Sequence, residues 1–291
     1  MARALKGKHF ERPDEADAYI NALLDEGGVE EAAQPTTPLE EAQDLMYIAW
    51  ETRDADERIA LAEEALDISA DCADAFTLLG NEKAASPAEA RAYYEEGVRA
   101  GLRALGERAL EEGSGAFWWT LETRPYMRAR FELAICLWML GEAKEAVEHL
   151  RGLLRLNPED PLDCRSLLLL VLIQEEDHSA VEELFASYPD DRSTEWLYEK
   201  ALWLIGRHAP ASEILAALNA AMAANDQVPA YLVGKKSLPR KISKIPVAGS
   251  DAEAGAYAGM SKERWVATVG ALEQLRQAVG RRKKSVNTTL Q

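Results

Sequence analysis

The sequence is poor in the residues that most often carry out chemistry. Its 291 residues include three cysteines and four histidines. The cysteines, Cys72, Cys136 and Cys164, lie far apart within apolar helical patterns, so we expect buried thiols in a reducing compartment. No two histidines stand three or four residues apart, and no His-Glu-x-x-His motif occurs, so a zinc site has no support. We therefore predict neither a metal nor a cofactor, and no catalytic residues.

Long apolar runs and positive charge are also scarce. The longest apolar run, residues 167–173, is far shorter than the about 20 residues that a membrane-spanning helix needs. The N-terminus has no apolar segment of the kind found in secretory signals. Acidic residues outnumber basic ones by 50 to 33, giving a net charge of −17, which repels nucleic-acid phosphates and favours basic partners. These features predict a cytoplasmic protein that binds neither membranes nor nucleic acids.

Apolar and small residues recur at helical spacing along most of the chain. Residues 127–160 match the tetratricopeptide repeat, a pair of helices with small residues where the two pack closely. The signature positions are Leu133, Ala134, Gly141, which makes the turn between the helices, Ala146 and Pro158. Because such a repeat buries its apolar face only by stacking on neighbours, one good copy predicts others.

No stretch shows the alternating pattern of a strand, so we predict an all-α protein of about twelve or thirteen helices. The expected architecture is a tetratricopeptide-like α-solenoid of antiparallel helix pairs, with an insertion after the second pair and a C-terminal capping helix at 261–278. Residues 1–37 are predicted to be an N-terminal helix and a flexible linker. Residues 38–278 form the helical repeat domain, and residues 279–291 a disordered basic tail.

The most unusual local sequence is FWWTLETRPYMRARFELA, residues 117–134. Its aromatic and arginine residues have two interpretations. In the structural one, the aromatics hold the insertion against the helices and the arginines pair with nearby acids. In the functional one, the arginines line a pocket for a carboxylate or an acidic peptide, because a planar guanidinium can bond both carboxylate oxygens. Thr123 is predicted to cap the helix that follows. The candidate partner-binding residues are Trp118, Trp119, Glu122, Arg124, Tyr126, Arg128 and Arg130.

Four segments together resemble a known family. Residues 117–138, residues 140–160, the sequence VPAYLVGKKSLP at 228–239 and the pattern W-x-x-T-x-G-A-L at 265–272 occur in the order seen in a group of bacterial tetratricopeptide-repeat proteins. The most specific part is the sequence ETRPYMRAR at 122–130. That group resembles the domain of the suppressor-of-tumorigenicity-seven family. The resemblance covers most of the chain from residue 40 to residue 278. It implies an all-helical repeat fold and brings no catalytic residues.

We therefore expect a non-catalytic protein-interaction scaffold that binds a peptide or helix of a partner on the concave face of the solenoid. One alternative is a homo-oligomer, with a homodimer held together by the aromatic segment 117–119. Another is an enzyme with a cryptic site. The sequence leaves open which protein is the partner, and whether segment 1–37 or 225–249 occupies the groove.

Overall fold

A computed structural model describes residues 34–106, 117–239 and 247–289, and the isolated residues 22, 109, 110 and 115. For residues 283–289 it describes the backbone alone. Most of the predicted N-terminal helix and linker lies outside the described residues, as do residues 107–108, 111–114 and 116 of the predicted insertion. Every regular element within the described ranges is a helix, which confirms the all-α class.

These ranges contain thirteen α-helices, and two short 3-10 helices at Phe117–Trp119 and Leu121–Thr123. The α-helices are α1 Pro38–Glu51, α2 Ala55–Ile68, α3 Ala73–Glu82, α4 Pro87–Leu105, α5 Arg124–Met139, α6 Ala143–Leu156, α7 Cys164–Gln174, α8 His178–Ser187, α9 Thr194–Gly206, α10 Ala211–Ala224, α11 Val228–Leu232, α12 Asp251–Ala267 and α13 Ala271–Thr289.

Polar caps and proline explain where many helices begin. The Thr37 hydroxyl accepts a hydrogen bond from the Glu40 amide at 3.2 Å, and the Ser86 hydroxyl accepts one from the Glu89 amide at 3.3 Å. Each cap is followed by a proline in the first helical turn, where a missing N–H costs nothing. A capping residue followed by proline predicts a helix start, and α1 and α4 begin at these two prolines.

The chain divides into two compact units, residues 1–171 and 172–291. In the first unit α1 packs on α2, α3 on α4, and α5 on α6, as the predicted pairing requires. The first helices of successive pairs also meet, because α3 contacts both α1 and α5. Gly141 lies between α5 and α6 with a φ of +81°, which confirms its predicted turn. The solenoid arrangement remains a prediction.

Small residues let the helices of the first unit approach closely. Ala134 and Ala146 are both fully buried, as predicted. Helices α4 and α5 approach closely at Gly101 of α4, where an added Cβ would lie 2.8 Å from the Tyr126 Cβ and 3.0 Å from the Tyr126 Cα. This approach fixes the first turn of α5, and therefore the arginines that the turn carries.

The second unit has an aromatic core around a buried carboxylate. The rings of Tyr198 and Tyr257 lie 5.4 Å apart between centroids. The buried Glu199 carboxylate accepts hydrogen bonds from the Tyr257 hydroxyl at 3.0 Å and from the Ser261 hydroxyl at 2.9 Å, and it pairs with Arg264. These bonds satisfy the charge and tie α12 to α9.

Two C-terminal predictions need correction. The single capping helix predicted at 261–278 is wrong, because α12 ends at Ala267 and α13 begins at Ala271. The break follows from Gly270, whose φ of +78° does not continue a helix. Instead of a disordered tail after residue 278, α13 continues to Thr289, through arginines and lysines that are good helix formers.

Candidate functional site

A buried ion pair links α3 to α5. Asp74 is fully buried, and its two carboxylate oxygens accept hydrogen bonds from Arg128 Nε at 2.8 Å and Nη2 at 2.5 Å. The Gln43 amide on α1 donates a third bond to the same carboxylate at 2.8 Å. A buried charge is tolerable only when it is paired and hydrogen-bonded, and this carboxylate is both. The pair therefore fixes the guanidinium of Arg128 in one place.

Two tryptophans lie against the arginines of α5. The Arg128 guanidinium carbon is 4.8 Å from the centre of the Trp50 ring and 6.0 Å from the Trp118 ring. Arg124 lies 5.3 Å above Trp118, and its Nε donates to the Trp118 carbonyl at 2.9 Å. Cations are attracted to the faces of aromatic rings, so each arginine holds a tryptophan in place. We call Trp50, Trp118, Arg124 and Arg128 the arginine–tryptophan cluster.

A groove opens beside this cluster, with a cavity volume of about 490 Å³, in the range of ligand and peptide sites. Helices α1, α2, α3 and α5 contribute to it. Trp50 is 45% exposed although it is a large apolar residue. The lining residues are Trp50, Thr52, Arg58, Thr77, Leu78, Asn81, Glu82, Arg128, Phe131, Glu132 and Leu162. We call this cavity the Trp50 groove.

The three aromatics of segment 117–119 have three different environments. Phe117 is buried, with its ring 6.2 Å from the Tyr126 ring. Trp118 is half-buried in the cluster, and its amide donates to Asn157 Oδ1 at 3.0 Å. Trp119 is 63% exposed, and its indole N–H donates to Glu159 at 3.0 Å. Only one of the three rings is therefore free to meet another molecule over most of its area.

The remaining predicted partner-binding residues lie outside the arginine–tryptophan cluster. Tyr126 is only 3% exposed, and its hydroxyl accepts a hydrogen bond from Arg130 Nη1 at 3.0 Å. Arg130 also donates to His149 Nδ1 at 3.3 Å, and burial and the Arg130 charge together lower the pKa of that histidine. Glu122 lines a smaller cavity of about 190 Å³ between α1 and α4. Of the predicted set, only Trp118, Arg124 and Arg128 share one cluster.

Thr123 precedes α5, as predicted, but its side chain makes no capping bond with that helix. Its hydroxyl donates backwards instead, to the Thr120 carbonyl at 2.8 Å and to the Phe117 carbonyl. The reason is that residues 117–123 form two short 3-10 turns with carbonyls to satisfy. The threonine thus holds the aromatic segment rather than the helix end.

The geometry favours the structural interpretation of Arg128. Its bidentate bonds go to Asp74 within the same chain, so they are not available to a carboxylate of a partner. Sequence reasoning missed Asp74, Trp50 and Gln43. A signal was present, because Asp74 stands in the apolar helix sequence ADAFTLLG, where a carboxylate needs a partner.

All three cysteines are buried and form no disulfide, as predicted. Burial raises the pKa of the Cys72 thiol to about 12, which keeps it protonated and unreactive. In the part of the chain that the structure describes, no three side chains among His, Cys, Asp and Glu are grouped to hold a metal ion. None of the helices in those ranges is both long enough and apolar enough to cross a bilayer.

The described residues define an all-helical protein in which paired helices form a groove beside an arginine–tryptophan cluster. The ST7 protein family matches residues 35–287, so this chain belongs to that family. This finding confirms the predicted resemblance to the suppressor-of-tumorigenicity-seven family. The matched range includes every residue of the cluster and of the Trp50 groove.

Individual relatives agree with this assignment. The chain is 29% identical over 262 residues to Suppressor of tumorigenicity 7 protein-like from Gallus gallus, covering 82% of this chain and 47% of that protein. The Homo sapiens protein of the same description is 28% identical over 253 residues, covering 79% and 44%. Protein ST7 homolog from Drosophila melanogaster is 27% identical over 260 residues, covering 81% and 48%. The chain thus spans about half the length of the curated relatives it matches.

Proposed function

We propose that this chain is a protein-interaction scaffold, and that a segment of a partner protein binds in the Trp50 groove. The observation that carries the proposal is an exposed tryptophan held by a buried ion pair. Trp50 is 45% exposed, yet Arg128 fixes one face of its ring and Asp74 fixes Arg128. Binding sites are rich in rigid aromatic residues, because such a residue loses little conformational freedom when a partner arrives.

The shape of the groove fits a segment of chain better than a flat partner surface. Four helices contribute to its wall, and their connections leave a cavity of about 490 Å³. Apolar area comes from Trp50 and Phe131, while the exposed Asn81 offers a polar side chain that can bond to a peptide backbone. The proposal assigns no catalytic role to any of these residues.

Selection from a random peptide library displayed on phage tests this proposal. The full chain is the bait, and Trp50→Ala is the counter-selection bait. Removing the aromatic anchor is expected to weaken selected peptides by about 1–3 kcal/mol, roughly 5-fold to 150-fold in Kd. Trp119→Ala is the matched control, because Trp119 is an exposed tryptophan outside the groove.

Photocrosslinking then locates the bound peptide. A benzophenone amino acid replaces Phe131, which lines the groove, or Met139, which is 65% exposed on the same helix. The selected peptide should crosslink at position 131 and not at position 139. Equal crosslinking at both positions, or selected peptides that bind Trp50→Ala as well as the parent, would show that the groove is not the binding site.

A further inference from the structure

The charges that line the Trp50 groove do not balance. Arg58 donates from Nε at 2.9 Å and from Nη2 at 2.6 Å to Glu82 Oε1. Arg128 is paired with Asp74 behind the groove wall. Both cations of the lining are therefore matched by a carboxylate. Glu132 is the remaining charge, and it makes no hydrogen bond or ion pair with any residue that the structure describes.

Tyr94 is a neighbour of Glu132, but its hydroxyl is bonded to another residue. Burial and the Glu132 charge together raise the pKa of this hydroxyl, which donates to Asn81 Oδ1 at 2.6 Å. Glu132 is half-buried, and burial raises the pKa of its carboxyl. An unpaired carboxylate in such a place destabilises the folded chain. A partner that brings a positive charge would remove this cost.

We propose that Glu132 receives a lysine or arginine side chain of the partner segment, and that Trp50 contacts the apolar stem or the apolar neighbour of that side chain. This inference rests on the proposed function of the groove. Lysine and arginine suit the position because their long stems cover apolar surface while their charged ends reach a carboxylate. The net charge of −17 also draws basic segments towards the chain.

The proposed ligand carries the opposite charge to the acidic peptide that the arginine-rich sequence predicts. The groups facing Glu132 and the groove are Arg58 and Glu82 from α2 and α3, Tyr94 from α4, and Arg128 from its own helix. Because the two arginines are already neutralised, they do not repel an incoming cation as free arginines would. The recognised ligand is thus a basic peptide segment rather than an acidic one.

A charge-reversal selection tests this assignment. The same peptide library is selected on the parent chain, on Glu132→Lys and on Trp50→Ala. We expect lysine or arginine to be enriched at one position in peptides selected on the parent, and aspartate or glutamate to replace it on Glu132→Lys. Glu132→Gln should weaken a parent-selected peptide about tenfold, and changing the basic residue of that peptide to glutamine should cause no further loss on this variant.

Glu64→Gln removes the same charge from an exposed position of α2 outside the groove, and it should leave the affinity unchanged within about twofold. Equal losses in Glu64→Gln and Glu132→Gln would mean general attraction to an acidic surface and would overturn the assignment. Peptides that depend on Trp50 but carry no basic residue would also overturn it, while leaving the groove as the binding site. If the parent selects no peptide at all, both proposals fail. Thermal melting of each variant shows that it is folded.

Discussion

Removing the carboxylate of Asp74 should destabilise the first unit strongly. Asp74→Ala deletes two charge-assisted bonds to Arg128 and the bond from Gln43, and it leaves the arginine without a counter-charge. Breaking a buried pair costs about 3–5 kcal/mol. The Arg128 side chain is 25% exposed and can regain some hydration, so we expect a loss of about 2–3 kcal/mol.

The reciprocal change should cost more. Arg128→Ala leaves a fully buried carboxylate with only the Gln43 amide as a partner, so we expect a loss of about 3–5 kcal/mol. The double variant has neither charge, and it should be more stable than the sum of the two losses predicts by about 2–3 kcal/mol. Urea unfolding followed by circular dichroism gives all four free energies of unfolding. Strictly additive losses would refute the view that this pair holds the cluster together.

Three further changes test other parts of the account. Gly101→Ala places a methyl group 2.8 Å from the Tyr126 Cβ, so it should lower the free energy of unfolding by about 1–3 kcal/mol. Gly280 has open space around it, so Gly280→Ala should be neutral or slightly stabilising. Equal melting temperatures for the two variants would contradict this packing. Glu132→Gln should stabilise the chain by about 0.5–1 kcal/mol at neutral pH, because an unpaired carboxylate is removed. Burial raises the pKa of the folded Glu132 carboxyl above its ordinary value of 4.5, so the parent loses no stability to this charge below pH 4.5 and loses it as the pH rises through the raised pKa. The stability difference between Glu132→Gln and the parent, measured by urea unfolding, should therefore shrink towards acid pH. A difference that grows towards acid pH would contradict the assignment. Trp118→Ala should leave the mass in solution unchanged by light scattering, because Trp118 is held between arginines of its own chain, and a loss of dimer would favour the self-association hypothesis.

Local signals made most helix boundaries predictable. Thr37 before Pro38 and Ser86 before Pro87 combine a cap with a residue that favours the first turn, and both helices begin there. The spacing of apolar residues likewise predicts helices over 194–206 and 211–224, and these are the bounds of α9 and α10. These features depend on residues within one or two turns of each other, which is the range that a single sequence shows clearly.

The candidate site was less predictable, because its key contacts join distant parts of the chain. Arg128 pairs with Asp74, 54 residues away, although Glu132 stands at the favourable spacing of four residues on the same helix. Arg128 pairs with the more deeply buried of the two carboxylates, Asp74, and the burial of Asp74 depends on how α3 packs on α5. Sequence reasoning found Arg128 and Trp118 from their local crowding, but it could not tell that Trp50 of α1 would meet them.

Amide hydrogen exchange with and without a library-selected peptide tests the central claim most directly. Binding in the Trp50 groove predicts slower exchange in α1, α3 and α5, with no change in α9 and α10 of the second unit, and loss of this protection in Trp50→Ala. Protection confined to residues 172–291, or equal in the parent and in Trp50→Ala, would contradict the account.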